Sequence, residues 1–251
     1  MSISRIKIIG VIPARIGSTR LPEKVLAPIA GKPMVQRVWE QVSRAAELDQ
    51  VIVACDDARI VKCIESAGGR AEMTSRDHAN GSSRVAEIAR RFPADVLINI
   101  QGDEPVIRPE SIDQLAQLFR EEASVQAATL AVRRSGEEEY LNPNVVKVVC
   151  DGKGNALYFS RSPLPHYRDP GSSPKSFLKH LGIYGYQKEF LLNYVSWPAG
   201  TLENLEKLEQ LRILENGHSI RVIETAYDSW SVDTAEDLAR VESKIVGVAG
   251  R

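Results

Sequence analysis

The 251-residue sequence predicts an α/β fold: a mainly parallel mixed sheet with helices on both faces and an inserted antiparallel lobe. Three observations carry this. Apolar strand-like runs alternate with segments of helical period from residue 6 to about residue 133, the pattern of β-α-β units. The first strand runs straight into a short, basic, turn-rich loop. Beyond Asn142 the alternation gives way to paired extended runs around glycines.

Each element follows from its residues. The first strand, 6–12 (Ile6, Ile8, Ile9, Val11, Ile12), is apolar at consecutive positions and therefore buried on both faces, and Pro13 ends it by removing a ladder donor. A helix around 33–46 puts Met34, Val38, Trp39 and Val42 on one face, and VIVAC at 51–55 completes a β-α-β unit. A helix through Ile60, Val61 and Ile64 stops at Gly68-Gly69, before a short strand at Ala71-Glu72-Met73. Helix 82–91, strand DVLINIQ at 95–101, helix 109–122 and strand ATLAVR at 128–133 extend the alternation. Next, VVKVVCD at 145–151 and NALYFSR at 155–161 flank Gly152 and Gly154 as a hairpin. The Pro- and Ser-rich stretch 163–176 is long enough for a lid, and LGIYGY at 181–186 resumes a strand. Helix 202–216, ended by Gly217, strand 220–225 and helix 234–245 close the chain. No long linker interrupts the pattern, so one body is expected.

Composition narrows the function classes. With 43% hydrophobic residues the chain can bury a sizeable core, and a formal net charge of -1 makes the basic loop a local feature, against a nucleic-acid-binding surface. Cys55, Cys63 and Cys150 are odd in number and lack C-x-x-C spacing, which argues against a disulfide framework or a structural zinc and for reduced thiols in the cytoplasm. The apolar run in MSISRIKIIGVIPAR is too short for a membrane span and is broken by Lys7 and Arg15.

Chemistry is expected at the carboxyl ends of the strands, where the loops 13–24 and 102–105 lie. In the first, Arg15, Arg20 and Lys24 supply three cations, while Gly17, Ser18 and Thr19 leave backbone N–H groups accessible and add hydroxyls, as a polyphosphate requires. A solvated basic loop is the alternative, and neither the Walker loop nor G-x-G-x-x-G is present. In the second, Gln101-Gly102-Asp103-Glu104-Pro105 ends a buried strand with hard oxygens of the kind Mg²⁺ takes together with phosphates, or else forms an ordinary turn. Asp233 sits between a short extended run and a helix, where it caps that helix or faces a metal, with Thr234 as the competing cap. His180, Tyr184 and Tyr186 share one strand face, as a small-molecule pocket or as packing. Leu202, Leu205, Leu208 and Leu211 recur at helical spacing as core, with Glu206, Glu209, Gln210 and Arg212 mostly solvated. Arg161 suits a substrate carboxylate or a salt bridge.

The motifs IPARIGSTRLPEKVL, GKPM, QGDEP, NPNVVKVV, ALYFSR, HLGIYGY, LEQLR and VDTAEDL, in this order along essentially the whole chain, resemble the 3-deoxy-D-manno-octulosonate cytidylyltransferases (CMP-Kdo synthetases). The resemblance implies the nucleotide-diphospho-sugar transferase fold. It also implies transfer of CMP from CTP to the anomeric hydroxyl of an eight-carbon ulosonic acid, with pyrophosphate released and the activated sugar used for lipopolysaccharide. A Mg²⁺ cofactor, a cytoplasmic location and a homodimer come with it. By position, it implies Arg15 and Lys24 on the CTP phosphates with Ser18, Gly81 and Arg84 also contacting the nucleotide. Asp103 and Asp233 become the magnesium carboxylates, and Gln101, Arg161, His180, Tyr184 and Glu209 surround the sugar acid. The nucleotide portion would span about 1–135 and 218–251, and the sugar-binding and dimerisation lobe about 136–217. Two departures stand out. Relatives usually read close to S-G-T-E-R where this chain has Asn80-Gly81-Ser82-Ser83-Arg84, and P-G-K where it has Pro22-Glu23-Lys24, which adds a negative side chain beside the phosphates. A cytidylyltransferase for 8-amino-Kdo or a sialic-type acid is the nearest alternative. A non-catalytic nucleotide-sugar-binding regulator is the alternative of another class.

Overall fold

The computed structural model describes residues 5–18, 21–169 and 175–249; Thr19 and Arg20 of the basic loop and residues 170–174 of the expected lid lie outside the described residues. The chain enters through β1 (Ile8–Ala14), whose Ile8, Ile9, Val11 and Ile12 are all fully buried, so both faces are covered as their apolarity requires. The strand does not end at Pro13, which pairs in register with Ala54. The carbonyl of Val11 accepts from the Ile100 N–H at 2.9 Å, and Pro13, two residues on, faces the same flank just where pairing there stops. Its missing N–H therefore forfeits no ladder bond.

A 3-10 turn (Lys24–Leu26) leads to a hairpin of β2 (Pro28–Ile29) and β3 (Lys32–Pro33), which was not foreseen. Its two-residue turn holds Ala30 and Gly31 at φ 44° and 80°, the mirror-image turn that matches strand twist. α1 (Met34–Val42) buries Met34, Val35, Val38 and Val42 and stops short of the expected limit at 46. β4 (Gln50–Cys55), α2 (Ala58–Ser66), β5 (Ala71–Met73), α3 (Gly81–Arg91), β6 (Val96–Asn99), α4 (Pro109–Glu121) and β7 (Ala127–Ser135) then alternate as expected. The caps explain where helices start: Asp57 accepts from Arg59 N, and Asn80 from Ser83 N.

The remaining elements are α5 (Glu137–Leu141), β8 (Lys147–Cys150), β9 (Ala156–Ser160), β10 (Ser176–Gln187), α6 (Lys188–Tyr194), α7 (Thr201–Glu206), α8 (Leu211–Glu215), β11 (Arg221–Thr225) and α9 (Ala235–Ala249). The expected single helix 202–216 is two short ones, because Lys207 takes a left-handed φ of 54° and ends α7. The interruption rotates the second half. Leu205, expected in the core, is 75% exposed, while Gln210 and Arg212, expected in solvent, are buried.

The main sheet runs β11-β7-β10-β6-β1-β4-β5, with β8 and β9 attached through β10. Only β10 opposes its neighbours along this order; the pairs β1–β4, β1–β6, β4–β5 and β7–β11 are parallel. Within residues 136–217, β10 lies between β6 and β7 in the centre of the sheet, so this stretch is joined to the rest through the main sheet. Alternate side chains feed two cores, one holding Ile8, Ile12, Val53 and Ile98 and the other Ile9, Val11, Ile52 and Leu97. A third, small cluster of Ile29, Met34, Val232 and Val241 docks α9 on the β2–β3 hairpin.

β10 carries an irregularity that matters for the site. Leu181 pairs with Leu130 but Tyr184 with Thr129, so β10 has two extra residues there. An even insertion preserves facing, whereas one residue would turn every later side chain over. His180, Tyr184 and Tyr186 therefore line up on one face, with ring centroids 5.3 and 5.8 Å apart. The Thr129 hydroxyl fills the bulge, 2.7 Å from Ile183 O and 3.0 Å from His180 Nε2. Burial pushes the His180 imidazole down to about 3, so it is neutral at physiological pH.

Two predictions follow from these contacts. A Cβ at Gly185 would stand 2.3 Å from the buried Phe119 ring, so Gly185→Ala should cost about 1–3 kcal/mol in urea unfolding, and adding Phe119→Leu should return part of it. Because His180 titrates near 6.5 when unfolded and about 3 when folded, its contribution to stability is full above pH 6.5 and falls as pH drops toward 3. The fall is about 1.4 kcal/mol per pH unit. His180→Gln should flatten the stability profile by that slope, and parallel profiles for the two proteins would contradict the assignment.

Candidate active site

Two strand ends and two helix starts build a single cleft. β1 delivers Pro13 and Arg15, the chain after β6 delivers Gln101, Gly102 and Asp103, the start of α3 delivers Gly81 and Arg84, and Asp233 stands before α9. Ser18, Lys24, His78 and Asn80 complete the walls of a cavity of about 330 Å³. Arg15, Ser18, Lys24, Gly81, Arg84, Gln101, Asp103 and Asp233 thus share one cavity, although they come from all parts of the chain.

Close backbone approach holds the floor together. A Cβ on Gly102 would sit 2.8 Å from the Pro13 carbonyl oxygen, so only glycine lets the turn after β6 lie against the end of β1. The Asp103 carbonyl then accepts from Val232 N at 2.9 Å, which brings the segment before α9 beside it. Thr234 caps that helix, accepting from Asp237 N at 3.2 Å, while the Asp237 carboxylate accepts from Thr234 N at 3.1 Å. The Asp233 side chain turns instead to Lys24.

At the centre, Lys24 Nζ donates to Asp103 Oδ2 at 2.6 Å and to Asp233 Oδ1 at 3.0 Å. Burial acts to lower the ammonium pKa, but the two carboxylates outweigh it and hold Lys24 above its ordinary value. Both carboxylates therefore aim at one cationic point. Hard oxygens converging in this way suit Mg²⁺, with the rest of its shell taken from phosphate and water. Among the described residues no cluster of three or more His, Cys, Asp and Glu forms around any such point. A metal in the cleft would rest on Asp103 and Asp233.

Arg84 belongs to the wall without being a mobile cation. Only 3% exposed, it donates to Thr74 Oγ1 at 2.5 Å and to Asp56 Oδ2 at 3.2 Å. Asp56 in turn accepts from Ile16 N at 2.9 Å, fixing the basic loop to the end of β4. Asp56 and His78 were not anticipated. An acid immediately after the buried VIVAC strand was the available signal for Asp56; His78, bonded to Glu87 at 2.7 Å, had none. Glu104, beside Asp103, is fully enclosed: burial pushes its carboxyl up to about 7, against a 2.7 Å bond from Ser229.

The expected sugar-side residues lie apart from this cavity, except Gln101. Glu209 accepts from Ser82 Oγ at 2.9 Å, which links it to the first turn of α3, and burial raises its carboxyl pKa. His180 lies tilted against Tyr184, which stacks on Tyr186 and through it on Tyr194. Among the described residues Arg161 forms no salt bridge; its guanidinium donates to Glu206 O at 2.8 Å and Pro143 O at 3.0 Å. The two departures are absorbed locally. Glu23 takes φ 52°, the conformation a glycine adopts without cost, and its carboxylate pairs with Arg59 at 2.7 Å instead of lining the cleft. Ser83 donates from Oγ to Asn80 O at 2.9 Å within the α3 cap.

Comparison with known proteins agrees with this geometry. A cytidylyltransferase family model matches residues 9–220. A 3-deoxy-manno-octulosonate cytidylyltransferase of Geobacter sulfurreducens is 50% identical over 247 residues, covering 95% of this chain and 99% of that protein. One of Solibacter usitatus is 51% identical, covering 94% and 93%. A solved CMP:2-keto-3-deoxy-manno-octonic acid synthetase complexed with CTP superposes with a TM-score of 0.91 at 42% identity, covering 96% and 99%. The glucose-1-phosphate thymidylyltransferase-like protein of Bacillus anthracis, at 15% identity and a TM-score of 0.67, shares the fold. With its strand order, its basic loop and its paired aspartates all in place, this chain belongs to the cytidylyltransferase family, among the 3-deoxy-manno-octulosonate cytidylyltransferases.

Proposed function

We propose that the protein transfers CMP from CTP to the anomeric hydroxyl of 3-deoxy-D-manno-octulosonate, releasing pyrophosphate. The observation that carries this reading is the convergence of Asp103 and Asp233 on Lys24 in a cleft that Arg15 and Ser18 also line, within a chain about half identical to enzymes of that name. Arg15 and Lys24 would bind the triphosphate and neutralise charge that develops on the leaving pyrophosphate. Backbone groups around Gly81, at the N-terminus of α3, would hold the nucleotide, with Arg84 bracing the wall through Asp56. Asp103 and Asp233 would hold Mg²⁺, which when bound supplies Lewis-acid stabilisation of the reacting phosphate and of the attacking hydroxyl. The sugar oxygen attacks the α-phosphorus in line as pyrophosphate departs, with no covalent enzyme intermediate. Gln101, which lines the cavity, together with Glu209, His180 and Tyr184, would contact the sugar acid. Because His180 carries no charge at working pH, it could serve the sugar acid only as a neutral hydrogen-bonding group.

The same reading places the protein in the cytoplasm as a homodimer that supplies the activated sugar for lipopolysaccharide. Free Cys55, Cys63 and Cys150 and the absence of any described helix long and apolar enough to cross a membrane support the first of these. Self-association through the stretch 136–217 would have exposed Leu141, Leu157 and Leu205 available to cover.

Pyrophosphate release on mixing the protein with CTP, Mg²⁺ and a panel of ulosonic acids tests the activity. Release should be greatest with 3-deoxy-D-manno-octulosonate; preference for its 8-amino analogue or a sialic-type acid would reassign the substrate, and silence with all of them would remove the catalytic reading. Asp103→Asn should cut turnover by about 10²-fold or more with the fold intact by circular dichroism. Sedimentation should give twice the mass of one chain, and a single-chain mass would dispose of the dimer.

A further inference from the structure

Lys24 occupies the one point on which both aspartates converge. Its side chain is only 13% exposed, and its two ion pairs, at 2.6 and 3.0 Å, leave the facing oxygens of Asp103 and Asp233 committed to an ammonium. The backbone at this position is fixed by the 3-10 turn, with Lys24 N donating to Leu21 O at 3.1 Å and Ala27 N to Lys24 O at 3.1 Å. Only the flexible side chain can move. A dication brought to the same oxygens would stand within a few ångströms of this ammonium, and like charges at such range repel strongly in a site of reduced dielectric. Lys24 and a dication therefore compete for these two oxygens. A triphosphate bound beside Arg15 and Ser18 in the same cavity would offer Lys24 a partner of opposite charge.

We infer that Lys24 is a resident counter-ion for Asp103 and Asp233, which makes divalent-metal binding weak in the nucleotide-free protein and dependent on a triphosphate that draws the lysine away. The inference rests on the reading of the two aspartates as metal ligands and adds an antagonism that this reading does not contain. It has a thermodynamic consequence. If phosphate binding relocates Lys24, metal and nucleotide each strengthen the other by the same factor, as reciprocal linkage requires. In the empty site the ammonium also offsets the repulsion between two carboxylates held within reach of one nitrogen, so removal of Lys24 takes away a cation that both of them share.

The test uses Mn²⁺ alone, with no nucleotide, titrated into the full chain and followed by the loss of the free-ion electron paramagnetic resonance signal. Wild type should bind weakly. Lys24→Met and Lys24→Gln should bind at least tenfold more tightly, Lys24→Arg should stay as weak as wild type, and Lys24→Met with Asp103→Asn should lose the gain. Circular dichroism checks each fold, and Lys24→Gln serves if the Met variant is unstable. If Mn²⁺ binds through Asp103 but neutral residues at position 24 leave its affinity unchanged or weaker, the counter-ion inference is wrong and the metal reading stands. If neither wild type nor the neutral variants bind Mn²⁺, or if binding ignores Asp103→Asn, both readings fall together.

Discussion

One ammonium between two carboxylates organises the active cleft. Lys24 reaches Asp103 and Asp233, 79 and 209 residues further along the chain, and no local element could bring those three together. The sheet does so by placing the ends of β1 and β6 side by side, while the hydrogen bond from Val232 to Asp103 carries the segment before α9 onto the same edge. Everything else in the cleft is arranged around the charge that this assembly needs. The acids are held facing one point, and cations stand beside them.

Behind the cleft, buried polar groups keep that arrangement stiff. Arg84 is nearly inaccessible and is bonded to Thr74 and Asp56, while Asp56 also holds the backbone of Ile16. Such a pair is costly to break because either partner alone would be a buried unpaired charge. The basic loop is thereby anchored at its start, at Ile16, and its far end is tied through Lys24 to the aspartates. Glu104 adds the opposite case. Enclosed next to Asp103, its carboxyl is pushed up to about 7 by burial, and it accepts its hydrogen bond from the Ser229 hydroxyl at 2.7 Å.

The sequence made the parallel half of the sheet and the cleft residues legible for a physical reason. Strands buried on both faces read as continuous apolar runs, and strand ends in an α/β sheet are where loops bind ligands, so Arg15, Lys24, Asp103 and Asp233 could be named from position and charge. Resemblance added Gly81 and Arg84, which local pattern alone did not single out. Position of β10 was not legible, because nothing in HLGIYGY tells whether an antiparallel strand sits at an edge or, as here, between β6 and β7. Nor was the break at Lys207, since the leucine spacing through 202–211 continues across a residue in left-handed conformation that any sequence pattern would count as helical. Arg161 could be read as an anion binder or as a structural group; the folded chain spends its guanidinium on two backbone carbonyls. Those partners come from distant segments and leave no trace in local composition.

The two departures from the family pattern bear on whether the chain has kept its chemistry. A carboxylate at position 23 would weaken triphosphate binding if it pointed into the cleft, and loss of an acid at position 83 would matter if the cap collapsed. Neither happens. Glu23 pairs with Arg59, itself bonded to Asp57, so its charge is balanced on the outer side of the loop. The remaining cost is conformational, roughly 1–2 kcal/mol for a non-glycine residue in the left-handed region. It falls on stability and leaves the phosphate site unburdened. Ser83 keeps the start of α3 tied through its own N–H and hydroxyl to Asn80, which preserves the helix N-terminus beside Gly81. Both departures are therefore accommodated outside the Lys24–Asp103–Asp233 centre, and neither favours a silent regulator.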